Sequence, residues 1–121
     1  MKILIVDDSK AMRMIVMRHL RQAGYGEATF EEAATGAEGL AAVRASEPDL
    51  VLSDWNMPEM SGHEFLVALR ADGCKVTFGF VTSESTPEMR HLAADAGAAF
   101  LISKPFTVEA FEQALAGVSV S

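Results

Sequence analysis

Residues 3–8 read Ile3-Leu4-Ile5-Val6-Asp7-Asp8: four consecutive apolar side chains, three of them β-branched, run straight into two carboxylates. A strand with one wet face alternates apolar and polar residues, so an unbroken apolar run predicts a strand covered on both sides. That places it centrally in a parallel sheet. The run is too short for a membrane span or a signal-peptide core.

Outward from this strand the pattern changes period. Over residues 9–23, Met12, Ile15, Val16, Leu20 and Ala23 recur at three- and four-residue spacing until Gly24, which predicts a helix. Residues 28–33 carry Glu31 and Glu32 and read as a strand nearer the sheet edge. Thr35 with Glu38 has capping-box spacing and opens a helix whose Leu40, Ala41 and Val43 are expected to face inward, ending before Pro48. Leu50, Val51 and Leu52 form a second short buried strand that delivers Asp54 into a loop containing Pro58 and Gly62. Ser61 with Glu64 repeats the capping spacing and starts a helix that ends near Asp72 and Gly73. Residues 76–81 predict a fourth strand, with Gly79 marking a close approach of backbone. Pro87 opens a helix to about Gly97; Phe100, Leu101 and Ile102 form the fifth strand; Thr107 caps a last helix through Leu115.

Five β-then-α units joined by long connections predict an α/β fold: a parallel five-stranded sheet, doubly wound, with helices on both faces in three layers. The 121 residues are expected to form one domain, 1–121, with no separate output module. Half the residues are apolar and 22% are charged, a globular balance. Ten Lys and Arg against seventeen Asp and Glu leave a net charge of −7, the wrong sign for coating a phosphate backbone, so nucleic acid is not an expected partner. Cys74 stands alone, which excludes an internal disulfide and suits a reducing cytoplasmic setting. No membrane association is expected.

In open parallel sheets ligands bind beyond the carboxyl ends of the strands. Here those ends carry Asp7 and Asp8, then Asp54, Thr82 and Lys104. Two carboxylates about 4 Å apart repel by roughly 4 kcal/mol at an effective dielectric near 20, so such a cluster takes up a proton or a cation. All-oxygen ligation with room for water and a phosphoryl oxygen suits Mg²⁺, whereas zinc wants His or Cys. His19, His63 and His91 lie in predicted helices and form no matching cluster. A Mg²⁺ site of modest affinity is therefore expected, with Asp8 binding directly and Asp7 through water. Asp54, flanked by that pair, is the expected nucleophile toward phosphorus; Lys104 offers a point charge and Thr82 a rotatable hydroxyl to the other phosphoryl oxygens.

These residues carry a resemblance. Asp7-Asp8 after an apolar strand, Asp54-Trp55-Asn56-Met57-Pro58-Glu59-Met60-Ser61-Gly62, Thr82, and Lys104-Pro105-Phe106 together resemble the receiver domain of two-component response regulators over nearly the whole chain. Asp-Trp-Asn-Met-Pro and Met12-Arg13 with Ile15-Val16 are most similar to its single-domain chemotaxis branch. The resemblance implies a flavodoxin-like sheet in the order 2-1-3-4-5. It implies that a sensor histidine kinase phosphorylates Asp54, and that Asp7, Asp8, Asp54 and the backbone carbonyl of Asn56 serve Mg²⁺. It further implies that Thr82 and Lys104 move toward the phosphoryl group, that the Lys104–Pro105 bond is cis, and that the fourth helix, fifth strand and fifth helix present a changed surface to a downstream effector protein such as the flagellar motor switch. The chain would act as a cytoplasmic monomer that promotes only its own phosphorylation and dephosphorylation. One position departs from the family: three before the lysine, where an aromatic residue is usual, stands Leu101, and Phe100 one place earlier belongs to the opposite face unless a β-bulge shifts it.

Blander readings compete at single residues. Asp7 and Asp8 would also serve as caps of the first helix, and Lys104 as a solvated charge. Met12, Met14 and Met17 read as packing residues, and Lys10, Arg13, Arg18 and Arg21 as a solvated basic face or a dock for an acidic kinase helix. Among whole functions, a phosphate sink or relay also uses Asp54. An aspartyl phosphatase is disfavoured because no second acid stands two residues after Asp54. A flavodoxin-like cofactor carrier is disfavoured because no Gly- or Ser/Thr-rich loop follows the first strand.

Overall fold

In a computed structural model of the chain, which describes residues 1–103 and 106–118, the elements follow the expected alternation. They are β1 (Lys2–Val6), α1 (Lys10–Leu20), β2 (Thr29–Ala33), α2 (Gly36–Ser46), β3 (Leu50–Ser53), α3 (Gly62–Ala71), β4 (Thr77–Thr82), α4 (Pro87–Asp95), β5 (Phe100–Ser103) and α5 (Val108–Ala116). All neighbouring strands pair in parallel, in the order β2-β1-β3-β4-β5. β2 is an edge, as its glutamates predicted. Lys104, and with it the expected cis bond to Pro105, lies outside the described residues.

Each helix starts on a hydroxyl. Ser9, Thr35, Ser61, Thr86 and Thr107 each accept a hydrogen bond from the backbone N–H three residues on, which satisfies one donor that a helix start leaves open. Ser61 and Glu64 form the full reciprocal box. Glu38 reaches one residue further back, to the Ala34 N–H. Asp7 and Asp8 do not cap α1, because Ser9 does. Past Leu20 the chain widens into a short turn, Arg21–Tyr25, where Gly24 at φ 108° leaves helical geometry.

Alternation along the strands divides the interior in two. Ile3, Ile5, Leu50, Leu52, Val81 and Ile102 meet Val16, Met17 and Leu20 of α1 and Phe111 and Leu115 of α5. Leu4, Val6, Val51, Phe78 and Phe80 meet Val43, Phe65, Leu66, Leu69 and Ala93 from α2, α3 and α4. The burial of both faces explains why β1 and β3 have no polar alternation.

Three expectations need correction, and a fourth, the opposed faces of Phe100 and Leu101, holds. On α1 the inward stripe is Val16, Met17 and Leu20, while Ile15 is exposed and Met14 is 50% exposed, so Met14 is not a packing residue. On α2 Ala41 faces solvent and Gly39 takes the inward place, under the Phe65 ring. The close approach at Gly79 is made by the Phe100 ring and not by backbone. No bulge shifts β5: the register Gly79↔Phe100, Phe80↔Leu101, Val81↔Ile102 is continuous, so Leu101 faces the α4 side and Phe100 the α5 side.

Candidate functional site

The parallel arrangement sends the carboxyl ends of β1, β3 and β4 to one rim. Val6 pairs with Ser53 and Ser53 with Phe80, so the residues just beyond them fall side by side. Asp7, Asp8 and Asp54 there bring one carboxylate oxygen each to within 4.8 Å of one another. Asp7 is buried at 5% exposure, Asp54 is half-buried and Asp8 is exposed. They border a cleft of about 160 Å³ together with Ser9, Met12, Val81, Ser83 and Phe106.

Backbone bonds hold the acids in place. The Asp54 N–H donates to the Val6 carbonyl at 2.9 Å, and the Trp55 N–H donates to Asp54 Oδ1 at 2.7 Å. The Ser9 N–H donates to Asp7 Oδ1 at 2.8 Å. The loop from β3 to α3 folds back so tightly that the Gly62 N–H donates to the Trp55 carbonyl at 2.8 Å. A β-carbon on Gly62 would collide with the Asp54 carbonyl, so only glycine allows this approach. Asn56 stands exposed in the same loop, on the same rim.

Burial lifts the Asp7 carboxyl from an ordinary 3.8 to about 6, against the bond from Ser9, with the charges of Asp54 and Asp8 adding to the rise. A site that disfavours its own negative charge in this way accepts a proton or a cation. The donors are all carboxylate oxygens, the chemistry of a hard divalent ion such as Mg²⁺.

Thr82, at the end of β4, is 1% exposed, and its hydroxyl has no hydrogen-bond partner among the described residues. Buried hydroxyls are normally satisfied, so this one is either costly or waiting for a ligand oxygen. Trp55 stands over the site's flank, its ring 4.7 Å from Phe80 and stacked at 5.4 Å on His63.

The structure brings together the three carboxylates that the sequence singled out; Thr82 is buried at the end of β4 without bordering the cleft, whereas Ser83 and Met12, which the sequence reading did not place there, do border it. Ser83 follows the end of β4, so the strand-end rule that found Asp54 would have found it too. Arg13 was also misread. It is no solvated charge: its Nη1 donates to the Asp7 carbonyl at 2.6 Å and its Nε to Glu32 Oε1 at 2.9 Å.

Fold and acid cluster together define a receiver-type signalling domain. The sequence pattern of the response regulator receiver domain matches residues 3–116, and the chain belongs to that family. It is 38% identical over 117 residues to the chemotaxis protein CheY-3 of Vibrio cholerae, covering 95% of this chain and 88% of that protein. It is 34% identical to a probable chemotaxis protein CheY of Rhizobium etli, covering 97% of this chain and 91% of the relative. Among solved structures, Vibrio cholerae CheY4 superposes with a TM-score of 0.84 at 36% identity over 98% of both chains. A CheY-like receiver domain protein from Methanospirillum hungatei gives 0.81 at 30% identity, over 95% of this chain and 90% of that one. Among the described residues no helix is long and apolar enough to cross a membrane.

Proposed function

We propose that this chain is a phosphorylation-activated response regulator that takes a phosphoryl group from a sensor histidine kinase onto Asp54. The observation that carries this reading is the convergence of Asp7, Asp8 and Asp54, within 4.8 Å, in an open cleft at the sheet's carboxyl edge. An Asp54 carboxylate oxygen attacks the phosphorus; a P–O bond forms as the P–N bond to the kinase histidine breaks, the ring nitrogen keeps the electron pair, and the ring, already protonated on its other nitrogen, leaves as neutral imidazole. Asp7, Asp8, Asp54 and the Asn56 carbonyl would hold Mg²⁺, which neutralises charge on the incoming group and aligns it. The Thr82 hydroxyl donates to a phosphoryl oxygen, giving its orphaned proton a partner, and Lys104 supplies a positive charge. The phosphorylated state is read by an effector protein on the α4, β5 and α5 surface, in chemotaxis and at a target such as the flagellar motor switch. The names of the relatives support that setting. The chain works as a cytoplasmic monomer and turns over no substrate beyond its own phosphoryl group.

Mass analysis after incubation with Mg²⁺ and acetyl phosphate tests the proposal. A gain of about 80 Da that disappears in Asp54→Asn is expected; no gain, or a gain that survives the substitution, rejects it.

A further inference from the structure

Arg13 is the fourth residue of α1, where the positive end of the helix disfavours a cation. It also touches the main chain of Asp7, one of the three clustered acids. A guanidinium in that setting is expected to turn onto the acids. Instead Nη1 is committed to the Asp7 carbonyl at 2.6 Å and Nε to Glu32 on the edge strand at 2.9 Å. The pair is graded in burial: the Arg13 side chain is 14% exposed and Glu32 42%.

The Asp7 carbonyl has a reason to need this donor. The β1–β2 ladder reaches one residue past β1, where the Asp7 N–H donates to the Ala33 carbonyl at 3.1 Å. β2 ends there and the chain turns into the α2 cap at Thr35, so Arg13 takes the place of the next rung. Fixing that carbonyl fixes the peptide joining Asp7 to Asp8, and so the direction in which both carboxylates leave the strand. Glu32 meets the remaining charge of Arg13 from outside.

We infer that Arg13 and Glu32 act as a positioning pair for the acid cluster: Arg13 sets Asp7 through its carbonyl, and Glu32 keeps the Arg13 charge from competing with a divalent cation for the carboxylates. The inference rests on the Mg²⁺ site proposed above. It has an asymmetric consequence that a simple structural ion pair lacks. Removing Glu32 alone releases a competing cation beside the site, whereas removing both charges releases none.

Mg²⁺ titration of the full chain by calorimetry, without any phosphodonor, reads this directly. Glu32→Gln is expected to weaken Mg²⁺ binding by about tenfold, the lower range for partners that orient metal ligands. Arg13→Gln combined with Glu32→Gln is expected to bind more tightly than Glu32→Gln alone, and Glu32→Asp to stay closer to the unmodified chain. Thermal melts of each variant confirm folding, and a variant that does not fold is replaced by Glu32→Ser or Arg13→Met at the same position. If the unmodified chain binds Mg²⁺ and Glu32→Gln binds it equally well, or the double variant binds no better than Glu32→Gln, the positioning pair is overturned while the site stands. If the unmodified chain does not bind Mg²⁺, the site reading itself fails and this inference falls with it.

Discussion

The ring of Phe100 occupies the space above Gly79 on the neighbouring strand, where any β-carbon would overlap it. The two residues are directly paired in the β4–β5 register, so the aromatic ring on one strand depends on the missing side chain of the other. Gly79→Ala is therefore expected to destabilise the protein by about 1–3 kcal/mol through overpacking. In a Phe100→Ala background the same change should cost clearly less. Denaturant unfolding of the four members of this cycle measures the coupling; additive effects would show that the ring moves aside without cost.

Asp7 makes the metal-free protein less stable as pH rises. Its carboxyl titrates near 6 in the folded chain against an ordinary 3.8, so between those values the folded state holds more protons than the unfolded one. Stability is then lost as pH climbs from about 4 through 6, by no more than about 3 kcal/mol, and is flat in this respect above. Asp7→Asn is expected to remove that slope and to raise the melting temperature at pH 7.5 in the presence of a chelator. Melts of both proteins from pH 4 to 8 check it; equal slopes would refute the assignment.

Thr82 should be a stability liability in the unphosphorylated chain. Replacing this hydroxyl, which has no partner among the described residues, by a methyl group in Thr82→Val is expected to stabilise by about 1 kcal/mol, since a buried polar atom without a partner carries its desolvation cost. The same variant should be labelled more slowly by acetyl phosphate. Urea midpoints and the rate of mass gain separate the two effects, and a loss of stability would mean that the hydroxyl is already satisfied.

Arg70 holds a corner remote from the acids. Its Nη1 donates to the Cys74 and Val76 carbonyls at 3.0 and 2.9 Å, and its Nη2 to the Gly97 carbonyl at 2.9 Å. A forked guanidinium spans the turn before β4 and the turn after α4; an ammonium cannot span both at once. Arg70→Lys is expected to cost about 1–2 kcal/mol, with faster hydrogen exchange in the residues joining α4 to β5. Unchanged exchange there would show that Gly97 is held by other contacts.

The amino-acid order alone determined the alternation of strands and helices, the hydroxyl at most helix starts and the acids at the strand ends. Those signals are local: a run of apolar residues, a Ser or Thr three before a Glu, a carboxylate where a buried strand stops. Even the opposed faces of Phe100 and Leu101 follow from the two-residue period of a strand, once no bulge intervenes. Only the tertiary structure decided which neighbours those residues meet. The inward phase of α1 passed to Met17 in place of Ile15, because packing against α5 and the sheet selects one of two nearly equivalent stripes. Arg13 found Asp7 and Glu32 across 6 and 19 positions of sequence, and Phe100 found Gly79 across 21, separations at which no local pattern constrains a side chain's direction.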